Sequence, residues 1–99
     1  MKEIIKEIIE FRNRRGWQKN DTPEAFAKSI IIEAAELLEN FQWGSEPKNI
    51  ENVKEELADV LTYALAMVYD MGWDVDEIIR EKLEKNLVKY PEPKNVEKK

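Results

Sequence analysis

The 99-residue chain contains neither cysteine nor histidine. Without cysteine there is no disulfide and no thiolate metal site. Without histidine there is no imidazole base and no His-ligated zinc or iron. The chain also lacks any apolar run long enough to cross a membrane. Its start, Met1-Lys2-Glu3-Ile4-Ile5-Lys6-Glu7, alternates charge with isoleucine and has no signal-peptide core. A cytoplasmic protein with no membrane partner is therefore expected. The net charge is -5 and no basic face stands out, which argues against a nucleic-acid partner. Glycine and proline number only three and four, so the breaks they mark are few and informative. Ninety-nine residues make at most one domain, with a modest core and marginal stability.

What is present is helix. Strand-like alternation and internal repeats are both missing, and the spacing predicts four helices. The first spans residues 2–15, with Ile4, Ile5, Ile8, Ile9 and Phe11 on its apolar face and Gly16 as its stop. Arg12, Arg14 and Arg15 crowd its C-terminal end, where cations suit the helix dipole or solvent. Thr22-Pro23-Glu24 opens the second helix with a cap, a first-position proline and a first-turn acid. It is expected to run to about Phe41, followed by a loop through Trp43, Gly44 and Pro47. Asn49 caps a third helix that ends near Met71, before Gly72. Asp74 with Glu77 opens a fourth, which stops near Tyr90, ahead of Pro91 and Pro93. Residues 1–91 form the expected domain, and residues 92–99 a frayed tail with little to bury.

The second helix is apolar on nearly every side, which calls for packing on most of its surface. Ser29, Glu33, Glu36 and Asn40 form its one narrow polar stripe. The third helix repeats the design, with Asn52, Glu56, Asp59 and Tyr63 on a stripe in a largely apolar helix. A short loop makes neighbouring helices antiparallel, so Glu33-x-x-Glu36 and Glu56-x-x-Asp59 can face each other. Like charges about 6 Å apart at an effective dielectric near 20 cost roughly 3 kcal/mol per pair. Several such pairs approach the whole stability of a small domain. A hard divalent cation relieves that cost, and oxygen-only ligands suit Mg²⁺, Mn²⁺ or Ca²⁺. Mg²⁺ held by carboxylates typically meets substrate phosphates, which points to phosphate-ester or phosphoanhydride chemistry. A single Glu-x-x-Glu more often marks a solvated face; two pairs, each set in an apolar helix, shift the balance toward a site. Glu39 and Glu55 lie beside the stripes, as outer ligands, a general base or surface charge.

Glu33-Ala-Ala-Glu36-Leu-Leu-Glu39, then Phe41-Gln42-Trp43, then Glu55-Glu56-Leu-Ala-Asp59-Val-Leu, then Lys82-x-x-x-Asn86-x-x-Lys89-Tyr90-Pro91, resembles the MazG-like family of all-α nucleoside triphosphate pyrophosphohydrolases, which includes the dCTP pyrophosphatases. The resemblance covers residues from about 10 to 91. It implies a four-helix MazG-like bundle completed by association into a homodimer or homotetramer. It implies Mg²⁺-dependent (or Mn²⁺-dependent) hydrolysis of a nucleoside triphosphate, most naturally a dNTP, to the monophosphate and pyrophosphate, in the service of nucleotide-pool cleaning. Glu33, Glu36, Glu56 and Asp59 match the family's catalytic, metal-binding carboxylates, with Glu36 or Glu39 as the base. Trp17 and Trp43 match tryptophans that enclose the base in dCTP-hydrolysing relatives; by themselves they read as helix-end packing. Lys82, Asn86 and Lys89 fall on one helical face, which by itself reads equally as the solvated face of an amphipathic helix; the resemblance suggests that they hold phosphates, with Tyr90 near the sugar or base, while Tyr63 is either in reach of ligand or carboxylate or a buried tyrosine satisfied by a neighbour. Asp21 departs from the pattern, standing where some relatives carry a base-contacting histidine. Trp73 has no match and reads as core or interface. Two rivals share these features: a phosphoribosyl-ATP pyrophosphatase, and a non-catalytic helical oligomer whose carboxylates hold a structural cation.

Overall fold

The computed structural model describes residues 1–93 and contains, among them, four α-helices, one turn of 3₁₀ helix and no strand. The expected tail lies mostly outside the described residues. The helices are α1 (Lys2–Arg14), α2 (Pro23–Glu39), α3 (Ile50–Asp70) and α4 (Val75–Lys89). The short turn, Trp17–Lys19, was not foreseen; it joins α1 to α2.

The helix starts follow the local chemistry. Thr22 Oγ1 accepts from the Ala25 N–H at 3.1 Å with Pro23 in the first turn. Asn49 Oδ1 accepts from the N–H groups of Glu51 and Asn52, and Asp74 Oδ2 from that of Glu77. Each cap satisfies donors that a helix N-terminus leaves without a partner. Gly16 and Gly72 end α1 and α3 at φ of 69° and 73°, left-handed conformations that favour glycine.

The packing is dominated by α2 and α3, an antiparallel hairpin, with α1 laid against α3. The core is small: Ile9 of α1, Phe26 of α2 and Ala66 of α3, with Ile5, Ile8, Tyr63 and Met67 around them. Below it Arg12 is buried and bridges two acids. Its Nη1 donates to Asp70 Oδ2 at 2.6 Å and reaches Asp21 Oδ2 at 3.4 Å. This corrects the expectation of a solvated or dipole-paired Arg12. The side chain is buried, and the guanidinium ties the end of α1 to the end of α3 and to the lead-in of α2. Arg14 and Arg15 are exposed as expected, and Arg15 caps the helix by donating to the Phe11 carbonyl at 2.9 Å.

The apolar surround of α2 is not covered within one chain. Ile31, Ile32 and Leu38 remain exposed, Leu38 to 68%. Helix α4 does not pack along any of the other three, and its Ile79, Leu83, Leu87 and Val88 are exposed. The particle is accordingly elongated, 53 × 36 × 24 Å. Trp73 is half exposed between α3 and α4, not in the core.

Candidate metal and nucleotide site

The α2–α3 hairpin brings the two acidic stripes together. Carboxylate oxygens of Glu33, Glu56 and Asp59 all lie within 4.8 Å of one another. Glu36, one turn along α2 from Glu33, lies outside that group, yet close enough to raise the Glu33 pKa. The carboxyl of Glu33 is pushed up from 4.5 to about 7. The Glu56 carboxylate against it is the largest cause; burial follows, then Glu36 and Asp59. Glu33 Oε2 and Glu56 Oε2 are both buried with no hydrogen-bond partner among the described residues. Buried polar atoms are rarely left this way, because each forfeits its hydration without return.

These residues fit a divalent cation. The donors are all carboxylate oxygens, the choice of hard ions. Two oxygens on opposite sides of one ion bound at about 2.1–2.5 Å lie about 4–5 Å apart, which matches the spacing of the cluster. Two orphaned, buried oxygens from facing helices supply the unused lone pairs. Glu33, Glu56 and Asp59 would hold the ion, with Glu36 beside them.

Next to Asp59 opens a cavity of about 280 Å³ walled by Phe11, Trp17, Phe26 and Tyr63, with Asp21 at its polar edge. Aromatic rings from α1, the 3₁₀ turn, α2 and α3 thus converge one step from the carboxylates. Phe11 and Trp17 meet edge to face at a centroid distance of 5.8 Å. Burial, then the charges of Glu33, Asp59, Asp21 and Glu36, push the Tyr63 hydroxyl above its ordinary pKa. It therefore stays protonated at neutral pH, with a proton to donate.

The predicted site residues divide cleanly. Glu33, Glu36, Glu56, Asp59, Tyr63 and Trp17 are brought into one region. Trp43 is not: it sits in the α2–α3 loop, 88% exposed. Lys82, Asn86, Lys89 and Tyr90 lie on or just after α4, which stands apart from the hairpin within one chain. Phe11 and Phe26 were missed as cavity walls. Phe11 reads in sequence as one more apolar residue of α1, and no local signal separates a wall from a core position.

Comparison with known proteins gives a consistent result. The model of the MazG-like family matches residues 28–99. A pyrophosphatase of Archaeoglobus fulgidus of known crystal structure is 41% identical, superposes with a TM-score of 0.86, and is matched over 93% of each chain. The dCTP pyrophosphatases 1 of mouse and human are 29% and 28% identical over 92% of this chain. The chain spans 59% of the length of those two enzymes.

Proposed function

The chain belongs to the MazG-like family, and from that premise we propose that it hydrolyses nucleoside triphosphates, with dNTPs as the natural class, to the monophosphate and pyrophosphate, using Mg²⁺ or Mn²⁺, in nucleotide-pool cleaning. The observation that carries this reading is the carboxylate cluster of Glu33, Glu56 and Asp59 opening beside an aromatic cavity. A triphosphate needs the first; a base needs the second.

A divalent cation in the cluster supplies neutralisation of phosphate charge and acidification of water. The protein's residues do the rest. Glu33, Glu56 and Asp59 would hold that cation through their carboxylate oxygens. Glu36, adjacent but outside the closest group, takes the proton of the attacking water. The water oxygen bonds to the α-phosphorus, the α–β phosphoanhydride bond breaks, and pyrophosphate departs with the bond's electron pair. Trp17, held edge to face against Phe11, offers a face to the base, a contact worth about 1–3 kcal/mol. The Tyr63 hydroxyl donates to sugar or phosphate.

Trp43, Lys82, Asn86, Lys89 and Tyr90 join the site from a second chain in this reading. The exposed apolar faces of α2 and α4 (Leu38, Leu83, Leu87) are what a homodimer or homotetramer would cover, and residues 1–91 would form the domain.

The test is pyrophosphate release from a panel of NTPs and dNTPs, with Mg²⁺ and with EDTA. The expected outcome is release that needs the metal, with the monophosphate as co-product. Glu36→Gln should reduce kcat by at least about 10²-fold, the lower end for loss of a positioned base, with circular dichroism unchanged. Wild-type kcat in that variant would remove Glu36 from the base's role, and no release from any nucleotide would remove the reading.

A further inference from the structure

Two asparagines outside the acidic cluster form a chain of hydrogen bonds that ends on it. The Asn49 backbone N–H donates to Asn40 Oδ1 at 3.2 Å. Asn40 Nδ2 donates to Asn52 Oδ1 at 2.9 Å. Asn52 Nδ2 donates to Glu56 Oε1 at 3.5 Å, the long end of the range. Asn40 is only 6% exposed, and its own carbonyl accepts from the Lys48 N–H at 2.8 Å.

The direction of this chain matters more than its length. An asparagine amide has an acceptor end and a donor end, and a flip exchanges them. The backbone N–H of Asn49 can only donate, so it fixes Asn40 with oxygen toward the loop and nitrogen toward Asn52. That in turn fixes Asn52 with its nitrogen toward Glu56. A carboxylate is acceptor-only when ionised, so the relay presents it with a donor and never with a repelling oxygen. It engages Oε1. The oxygen left buried without a partner is the other one, Oε2.

We propose that Asn40 and Asn52 are positioning residues for the metal site: they hold Glu56 by one oxygen so that the other is aimed at the cation. The proposal rests on the reading of the cluster as a divalent-cation site. Hydrogen-bond partners of ligating carboxylates commonly tune metal affinity by 10–100-fold.

The experiment is calorimetric titration of Mn²⁺ into the metal-free full chain, with no nucleotide, alongside thermal melts in EDTA. Asn52→Ala removes the donor to Glu56 and leaves both loop contacts of Asn40 in place. It should weaken Mn²⁺ binding about tenfold or more and lower the metal-free Tm, because the buried Asn40 Nδ2 loses its acceptor, but by less than the loop-opening Asn40→Ala. Asn40→Ala should weaken binding as well and also lower the metal-free Tm, because it opens the loop. The double variant should bind Mn²⁺ no more weakly than Asn52→Ala alone, since the two act in series. Wild-type Mn²⁺ affinity in a folded Asn52→Ala protein overturns the relay while leaving the cation site standing. Absence of Mn²⁺ binding by the wild-type protein overturns the site reading and the relay with it.

Discussion

Replacing Glu33 by glutamine should stabilise the metal-free protein while abolishing its response to metal. Glu33 ionises near 4.5 in the unfolded chain and near 7 in the folded one. Between those values the folded state binds more protons than the unfolded state, so stability falls as pH rises through the window and the loss is complete above about 7. At roughly 1.4 kcal/mol per pH unit, the span from 4.5 to about 7 corresponds to about 3 kcal/mol. Water reaching the partly exposed site screens the charges, so the expected loss is about 1–3 kcal/mol. Glutamine carries no titrating proton and escapes this loss. The quantity to measure is the stability difference between Glu33→Gln and wild type at pH 5 and at pH 8, by urea unfolding in EDTA at fixed protein concentration. Comparing the two pH values cancels the constant effect of the amide. The variant should gain about 1–3 kcal/mol on wild type across that interval, a Tm shift of about 4–8 °C per kcal/mol for a domain this small. Adding Mg²⁺ at pH 8 should restore wild type and leave the variant unmoved. A difference that stays flat between pH 5 and pH 8 would refute the crowding of these carboxylates as the source of the shift.

Two further outcomes follow from the geometry. Arg12→Ala strips the shared cation from Asp70 and Asp21, whose side chains are 30% and 23% exposed; loss of a largely buried pair, tempered by that exposure, should cost about 2–3 kcal/mol in urea unfolding, and a cost below about 0.5 kcal/mol would show the bridge to be incidental. Trp17→Ala should raise KM for the preferred nucleotide by the equivalent of about 1–3 kcal/mol of lost stacking, roughly thirtyfold at the middle of the range, with a smaller effect on kcat; an unchanged KM would place the base elsewhere.

The helices were legible because their signals are local. Thr22, Asn49 and Asp74 cap where their sequence context says they should, and the ends came within about two residues because Gly16 and Gly72 stop the chain regardless of what packs on it. The four carboxylates were legible because a 3.6-residue period places Glu33 and Glu36, and likewise Glu56 and Asp59, on single stripes in helices otherwise too apolar for stray charge. The same count put Asn40 and Asn52 on those stripes without saying what they do. An asparagine is as content in a cap or in solvent as in a relay, and only the distances tell which. Arg12 was misread for a similar reason: its partners lie 9 and 58 residues away, beyond any local pattern.

Periodicity, capping chemistry and the absence of histidine and cysteine thus determined, from the sequence by itself, that this is an all-α chain whose polar chemistry is four carboxylates on two apolar helices. Those are properties of neighbours three and four residues apart, and they hold whatever the chain packs against. Only the tertiary structure decided that oxygens from Glu33, Glu56 and Asp59 come within 4.8 Å, that two of the cluster's oxygens are left without partners, and that Phe11 and Phe26 wall a cavity beside them. Each of these depends on the register of α1, α2 and α3 against one another. That register is set by the packing of Ile9, Phe26 and Ala66 and by the Arg12 bridge, contacts between residues distant in the chain that no window of sequence contains.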